Sequence, residues 1–166
     1  MRRLTRPLQW ALLALLAGAA IGCGWQLRGA GLEARDIAGI TVEASASDRD
    51  IALQLARTLA PLVAVNNAAA DHTVTIEQFS SQARVATVSA AIRSAEQQLN
   101  MALTFSFKRG DDFLIRSQTI ALERLYRTIE TDILASKNER RLVEHEMRSE
   151  LVAQLVRQLA ALPVAD

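Results

Sequence analysis

The chain offers few groups for covalent or acid–base chemistry: one thiol, Cys23, and two imidazoles, His72 and His145, among 166 residues. Glu144-His145-Glu146 has donor types that zinc accepts, but a zinc-protease helix needs a second histidine four residues on, and it is missing. His145 then reads as a lone imidazole on a solvated helix face, and His72 as the start of a strand. There is no glycine-rich phosphate loop and no sharp turn presenting a nucleophilic serine. Catalysis needs acids, bases or nucleophiles that converge, and the sequence supplies no such set. An enzyme is not expected, nor a metal site or a cofactor.

Cys23 is informative because of what precedes it. Arg2, Arg3 and Arg6 form a positive start, and Leu8 to Ile21 is almost wholly apolar, ending in the small residues Ala17, Gly18, Ala19 and Ala20. That is the layout of a secretory signal, whose apolar core runs to ~7–15 residues. A membrane-spanning helix wants ~20 apolar residues, and Cys23 and Arg28 close this run too early. Ala20-Ile21-Gly22-Cys23 resembles the lipobox of bacterial lipoproteins, although Leu is usual at the place of Ala20. In that box the thiol receives diacylglycerol, cleavage follows, and the freed amine is acylated, commonly with palmitate. The plain alternative is an ordinary cysteine of a transmembrane anchor. The expectation is a signal at 1–22 and a single domain at 23–166, lipidated at Cys23. Gly24 stands where Asp would signal inner-membrane retention, so the outer membrane is expected. With one cysteine, no intramolecular disulfide forms.

Removing the signal changes the charge. Three arginines leave with it, so 16 Lys+Arg face 18 Asp+Glu and the mature chain is about −2. The whole-chain pI near 8.0 is therefore no sign of nucleic-acid binding. The 144 remaining residues suffice for one domain burying roughly two thirds of its surface. Aromatics make up 4%, so Leu, Ile, Val and Ala must build the core.

Hydrophobic spacing supplies the elements. Ile37 to Val42 reads as a strand, with Ile40 and Val42 on one side. Ser47 and Asp50 resemble a capping box, and Ile51, Leu55, Leu59 and Leu62 follow at helical spacing until Pro61 ends the run. Thr73 to Glu77 alternates, and Arg84 to Val88 resumes after a polar break. Leu99, Met101, Leu103, Phe105 and Phe107 alternate with Gln98, Asn100, Ala102, Thr104 and Ser106. That strand has one face in a core and the other in water or against a polar partner. Lys108 to Asp112 is a turn, and Phe113 to Leu125 another strand. Ser136-Lys137-Asn138-Glu139 is a capping box, and apolar residues from Leu142 to Leu162 then keep a 3.6-residue rhythm up to Pro163. The expectation is an α+β two-layer sandwich, β-α-β-β-β-α, with a four-stranded, mostly antiparallel sheet and two helices on one face.

Cys23-Gly24-Trp25-Gln26-Leu27-Arg28-Gly29 resembles the mature amino terminus of the LptE family, outer-membrane lipoproteins of lipopolysaccharide assembly (also called RlpB). The resemblance continues in Ala95-Glu96-Gln97-Gln98, in Leu134-Ala135-Ser136-Lys137-Asn138-Glu139 and in Glu146-Met147, so it spans nearly the whole mature chain. It implies a non-enzymatic lipoprotein that sits as a plug in the LptD β-barrel, helps it to fold, and binds lipopolysaccharide on its way to the cell surface. Such a protein faces the periplasm and the barrel lumen and has no nucleic-acid partner.

Lipopolysaccharide carries phosphates and carboxylates, for which Arg and Lys are charge-assisted donors. The family's ligand contacts are implied at Lys137, which matches to within one residue, and at Arg93, displaced by a few places. For each, the plain alternative is a solvated surface charge; Lys108 and Arg109 belong to a hairpin turn, where that alternative wins. Two other functions compete. A stand-alone periplasmic lipoprotein binding another lipid or small ligand needs a cavity lined by the apolar face, and a lipid-anchored hydrolase needs the clustered titratable groups that are missing.

Overall fold

A computed structural model describes residues 37–89, 94–129 and 132–162. The alternating segment becomes β3 (Ser94–Arg109), flanked by β2 (His72–Ser89) and β4 (Asp112–Ile129), with the short β1 (Ile40–Ala44) outside β2. Leu99, Met101, Leu103, Phe105 and Phe107 are each no more than 2% exposed, so the period-two pattern marks the face that meets the helices. β1 pairs with β2 in parallel, and the other two pairings are antiparallel. A parallel neighbour needs a crossover, which α1 (Arg49–Leu59) provides, burying Ile51, Leu55 and Leu59 at helical spacing. The long α2 (Ile133–Ala161) closes the fold. Its Met147, Leu151, Val152, Leu155 and Leu159 join α1 and the sheet in one core, each burial worth roughly 1.5–3 kcal/mol. Gln54 Nε2 of α1 donates to Ser149 Oγ of α2 at 3.2 Å. The architecture is the α+β sandwich expected.

Several boundaries differ from the sequence reading for local reasons. β1 begins at Ile40, not Ile37, because pairing with β2 starts at Ile40 opposite His72. The polar break in β2 is no break. A bulge between Ile76 and Gln78 shifts the phase, so Phe79, Ser81 and Ala83 fall opposite Leu103, Met101 and Leu99, and the strand runs on. The Ser47–Asp50 box does not form. A 3-10 turn, Ala46–Asp48, precedes α1, and Ser45 Oγ donates to Asp48 Oδ2 at 2.8 Å. Nor does Ser136 open α2. Asp132 lies one turn earlier and its Oδ1 accepts from the Ala135 amide at 2.9 Å, satisfying an otherwise orphan donor. Ser136 is thus inside the helix.

No described helix lies over the other face of the sheet. Thr104 and Thr119 share a 2.8 Å hydroxyl hydrogen bond there, and Arg84 Nε donates to Gln98 Oε1 at 3.1 Å. Ser80, Ala102 and Ala121 stand in register across three strands, leaving a shallow cleft of about 370 Å³ edged by Gln82, Asn100 and Glu123. Ser106 departs from the expected exposure: it is 4% exposed. β4 bulges opposite it, where Phe105 pairs with Gln118 but Phe107 with Ile115, and Ser117 takes a positive φ of 30°. Ser117 Oγ reaches across β3 to donate to Glu77 Oε2, in the β2 bulge, at 2.7 Å.

Candidate functional site

Of the three candidate lipid- and ligand-contact residues, Cys23, Arg93 and Lys137, the described structure contains Lys137. Cys23 and Arg93 lie outside the described residues. Lys137 is exposed in the second turn of α2, at the end of the sheet where β2 ends, β3 begins and β4 ends. Charges around it are mostly paired. Arg140 Nε meets Glu144 Oε1 at 2.7 Å, and that hydrogen bond, with the charge behind it, raises the Arg140 pKa. Arg124 meets Glu146 at 2.7 Å, and Arg127 lies 3.7 Å from Glu96. Neither Lys137 nor Arg141, one turn on, has an ion pair among the described residues. Two exposed cations at i, i+4 repel one another, which suits them to an anion and not to holding the helix.

The histidines do not make a catalytic centre. His145 is exposed on α2. His72 is buried, its ring stacked on Phe107 with centroids 5.3 Å apart, and Nδ1 lies 2.7 Å from Asp71 Oδ1. Desolvation pushes the Asp71 carboxyl up, but the hydrogen bond and charge of His72, with backbone hydrogen bonds at Asp71 and Gly39, outweigh it and hold the pKa below its ordinary value. This pair was not read from the sequence, because an Asp-His dipeptide carries no sign of the ring that will stack on it. It ties the start of β2 to the β3–β4 turn, where the Gly110 amide donates to the Asp71 carbonyl at 3.0 Å. Gly110 itself has φ +56°, the left-handed region that favours glycine. Among the described residues no group of three or more His, Cys, Asp or Glu could hold a metal ion.

Side chains of α1 and α2 occupy the apolar face from Val74 and Ile76 across to Ile120, and the described clefts open elsewhere. One of about 500 Å³ lies beside β1 and α1, between Val42, Ala44, Arg49 and Leu53. Another of about 420 Å³ touches Glu96, Leu125, Tyr126, Arg127 and Glu139 at the far end. No described helix is long and apolar enough to cross a membrane.

The fold recurs in solved lipoproteins. An uncharacterized lipoprotein B from Nitrosomonas europaea, solved by solution NMR, aligns with TM-score 0.69 and 21% identity, over 83% of this chain and 91% of that one. Rare lipoprotein B from Shewanella oneidensis gives 0.64 and 18%, over 74% and 94%. A minor lipoprotein from Acinetobacter baumannii gives 0.62 and 19%, over 78% and 97%. A search of curated proteins finds no match. The sequence model of LptE, described as lipopolysaccharide-assembly, matches residues 36–159, from before β1 to within the last turn of α2. With a match of that extent, the chain belongs to the LptE lipopolysaccharide-assembly family, whose members are not enzymes.

Proposed function

We propose that this protein is an outer-membrane lipoprotein, anchored through acylated Cys23, that plugs the LptD β-barrel, assists its assembly and binds lipopolysaccharide in transit. The family match over residues 36–159 carries the reading. The structure supports it in kind. A plug needs a filled core and polar walls, and here one sheet face is packed by helices while the other carries hydroxyls, amides and small side chains. A stand-alone carrier needs an apolar cavity where this chain places Leu99, Leu103, Phe105, Leu151 and Leu155. One acyl chain holds a protein to a bilayer only marginally, so permanent residence calls for the multiple acylation a lipobox cysteine receives. Lys137 is the cation assigned to the ligand's phosphates, with Arg93 its partner from the β2–β3 connection.

The decisive experiment is affinity purification of the full chain from outer membranes without crosslinking. A large β-barrel co-eluting one-to-one, with lipopolysaccharide in the same fraction, is the expected result. Recovery of the chain alone, with a small lipid bound, would establish the carrier instead.

A further inference from the structure

Residues seven apart lie on one helix face, so the buried stripe of α2 can be followed back toward the helix start. Leu155 is preceded at that interval by Arg148, Arg141 and Leu134, and Leu151 by Glu144 and Lys137. The face that is apolar in the second half of α2 turns basic in the first. Its acid, Glu144, is taken by Arg140 at 2.7 Å. Lys137 and Arg141 have no ion pair among the described residues. Arg148 lays its guanidinium 5.4 Å from the Phe79 ring centroid, and its buried Nε has no hydrogen-bond partner.

The sheet beneath is also left open. β1 ends opposite Ile76, so beyond it the outer edge of β2 has no neighbouring strand among the described residues. Val74 and Ile76 are buried, but Ser81, Ala83 and Val85, on the same side after the bulge, are exposed, Val85 to 58%. Leu134, at the start of the basic stripe, is 75% exposed. Three cations of one stripe, whose own acid Glu144 is already paired, are thus bordered by the exposed apolar side chains of Leu134 and Val85, from which a folded chain gains nothing.

We infer that this trough, between the first half of α2 and the distal half of β2, seats one phosphorylated, acylated saccharide. Lys137, Arg141 and Arg148 take its phosphates, and Leu134 and Val85 take acyl chains. The inference rests on the lipopolysaccharide reading and extends it: it adds two cations on one helix face and a contact with the lipid part of the ligand. Charge complementarity selects the occupant. An uncharged lipid leaves the cations unanswered, and a free phosphate leaves the apolar side chains wet.

The test uses the purified chain and three probes: lipopolysaccharide, its fully deacylated phospho-oligosaccharide, and phosphatidylglycerol vesicles. Arg141→Glu should weaken binding of the first two by about two- to fivefold, the scale of an exposed charge pair. Leu134→Ser with Val85→Ser should weaken lipopolysaccharide binding by a similar factor and leave the deacylated probe unchanged. Arg57→Glu, on exposed α1 surface, should change neither, and circular dichroism melts check the fold. Wild-type affinity in both trough variants would overturn the inference while the lipopolysaccharide reading stood. So would an equal loss in Arg57→Glu, or equal affinity for the vesicles. Variants that bind lipopolysaccharide normally but lose the co-purifying barrel would assign the trough to the barrel wall and overturn it as well. A wild type that binds no lipopolysaccharide would end the ligand reading itself and this inference with it.

Discussion

Single side chains carry the proposed anchoring and ligand contact and the acid response of the fold, each by different chemistry. The Cys23 thiol is the nucleophile that would accept diacylglycerol, so Cys23→Ala should leave a precursor that retains residues 1–22, visible as a larger band on immunoblot. A membrane-bound product of mature size would end the lipoprotein reading. Lys137 and Arg93 should act through charge: Lys137→Asp with Arg93→Asp is expected to reduce lipopolysaccharide binding in a pull-down, each contact being worth only ~0–1 kcal/mol. Binding by the wild type should weaken with added salt, because exposed charges are screened within ~8–10 Å at ordinary ionic strength. Asp71 gives a pH prediction. Its carboxyl titrates below its ordinary value of 3.8 in the folded chain, so the unfolded chain binds the proton more readily. The stabilisation is complete above 3.8 and is lost as pH falls through the lower, folded value. Asp71→Asn should therefore flatten the decline in thermal midpoint below about pH 4 relative to wild type. Parallel declines would show that the pair contributes nothing.

At the level of elements, the period-two pattern of β3 makes the sharpest prediction. Leu103→Asp or Phe105→Asp puts a charge where both residues are fully buried, at a cost of several kcal/mol, whereas Thr104→Asn on the opposite, half-open face should cost little. Similar melting temperatures for the two kinds of variant would refute the face assignment. Ser106, by sequence a neighbour of the same kind as Thr104, belongs with the buried residues. Alternation is legible because it is a property of the chain itself; the bulge that covers Ser106 is made by another strand. The same division runs through the molecule. Five buried positions of β3 and the stripe of α2 were readable, because burial on one face imposes a period. The true N-cap, Asp132, was not, because it competes with Ser136 on position alone and the β4–α2 connection decides between them. Nor was the proposed ligand surface fully readable: Lys137 came from likeness to relatives, whereas Arg141 and Arg148 enter the proposal through the exposed distal half of β2, which no spacing rule announces.

Among the described residues the sheet is two-sided: one face is packed for most of its area by two helices, and the other is polar with no described helix above it. That polar face is the one expected to meet the lumen of a barrel. Its row of small residues, Ser80, Ala102 and Ala121, would let a barrel wall approach the strands closely. Ala102→Arg adds bulk and charge to the row without entering the core, and should leave the melting temperature of the isolated protein nearly unchanged. It should, however, lower the amount of β-barrel recovered with the tagged chain. Full recovery of the barrel would place the contact on another surface.

The hydrogen bond from Ser117 to Glu77 answers a problem that the apolar pattern leaves open. Sliding one strand past another by one residue turns every side chain to the wrong face, but sliding by two restores the faces. Three strands of 18, 16 and 18 residues are long enough for such a misalignment to keep most of its ladder. Facing bulges in β2 and β4, joined across β3, give the sheet a fixed zero from which the other pairs are counted. The degeneracy of the alternating code is thereby lifted, and the ends of the strands, where the ligand surface is proposed, arrive at a defined distance from that mark.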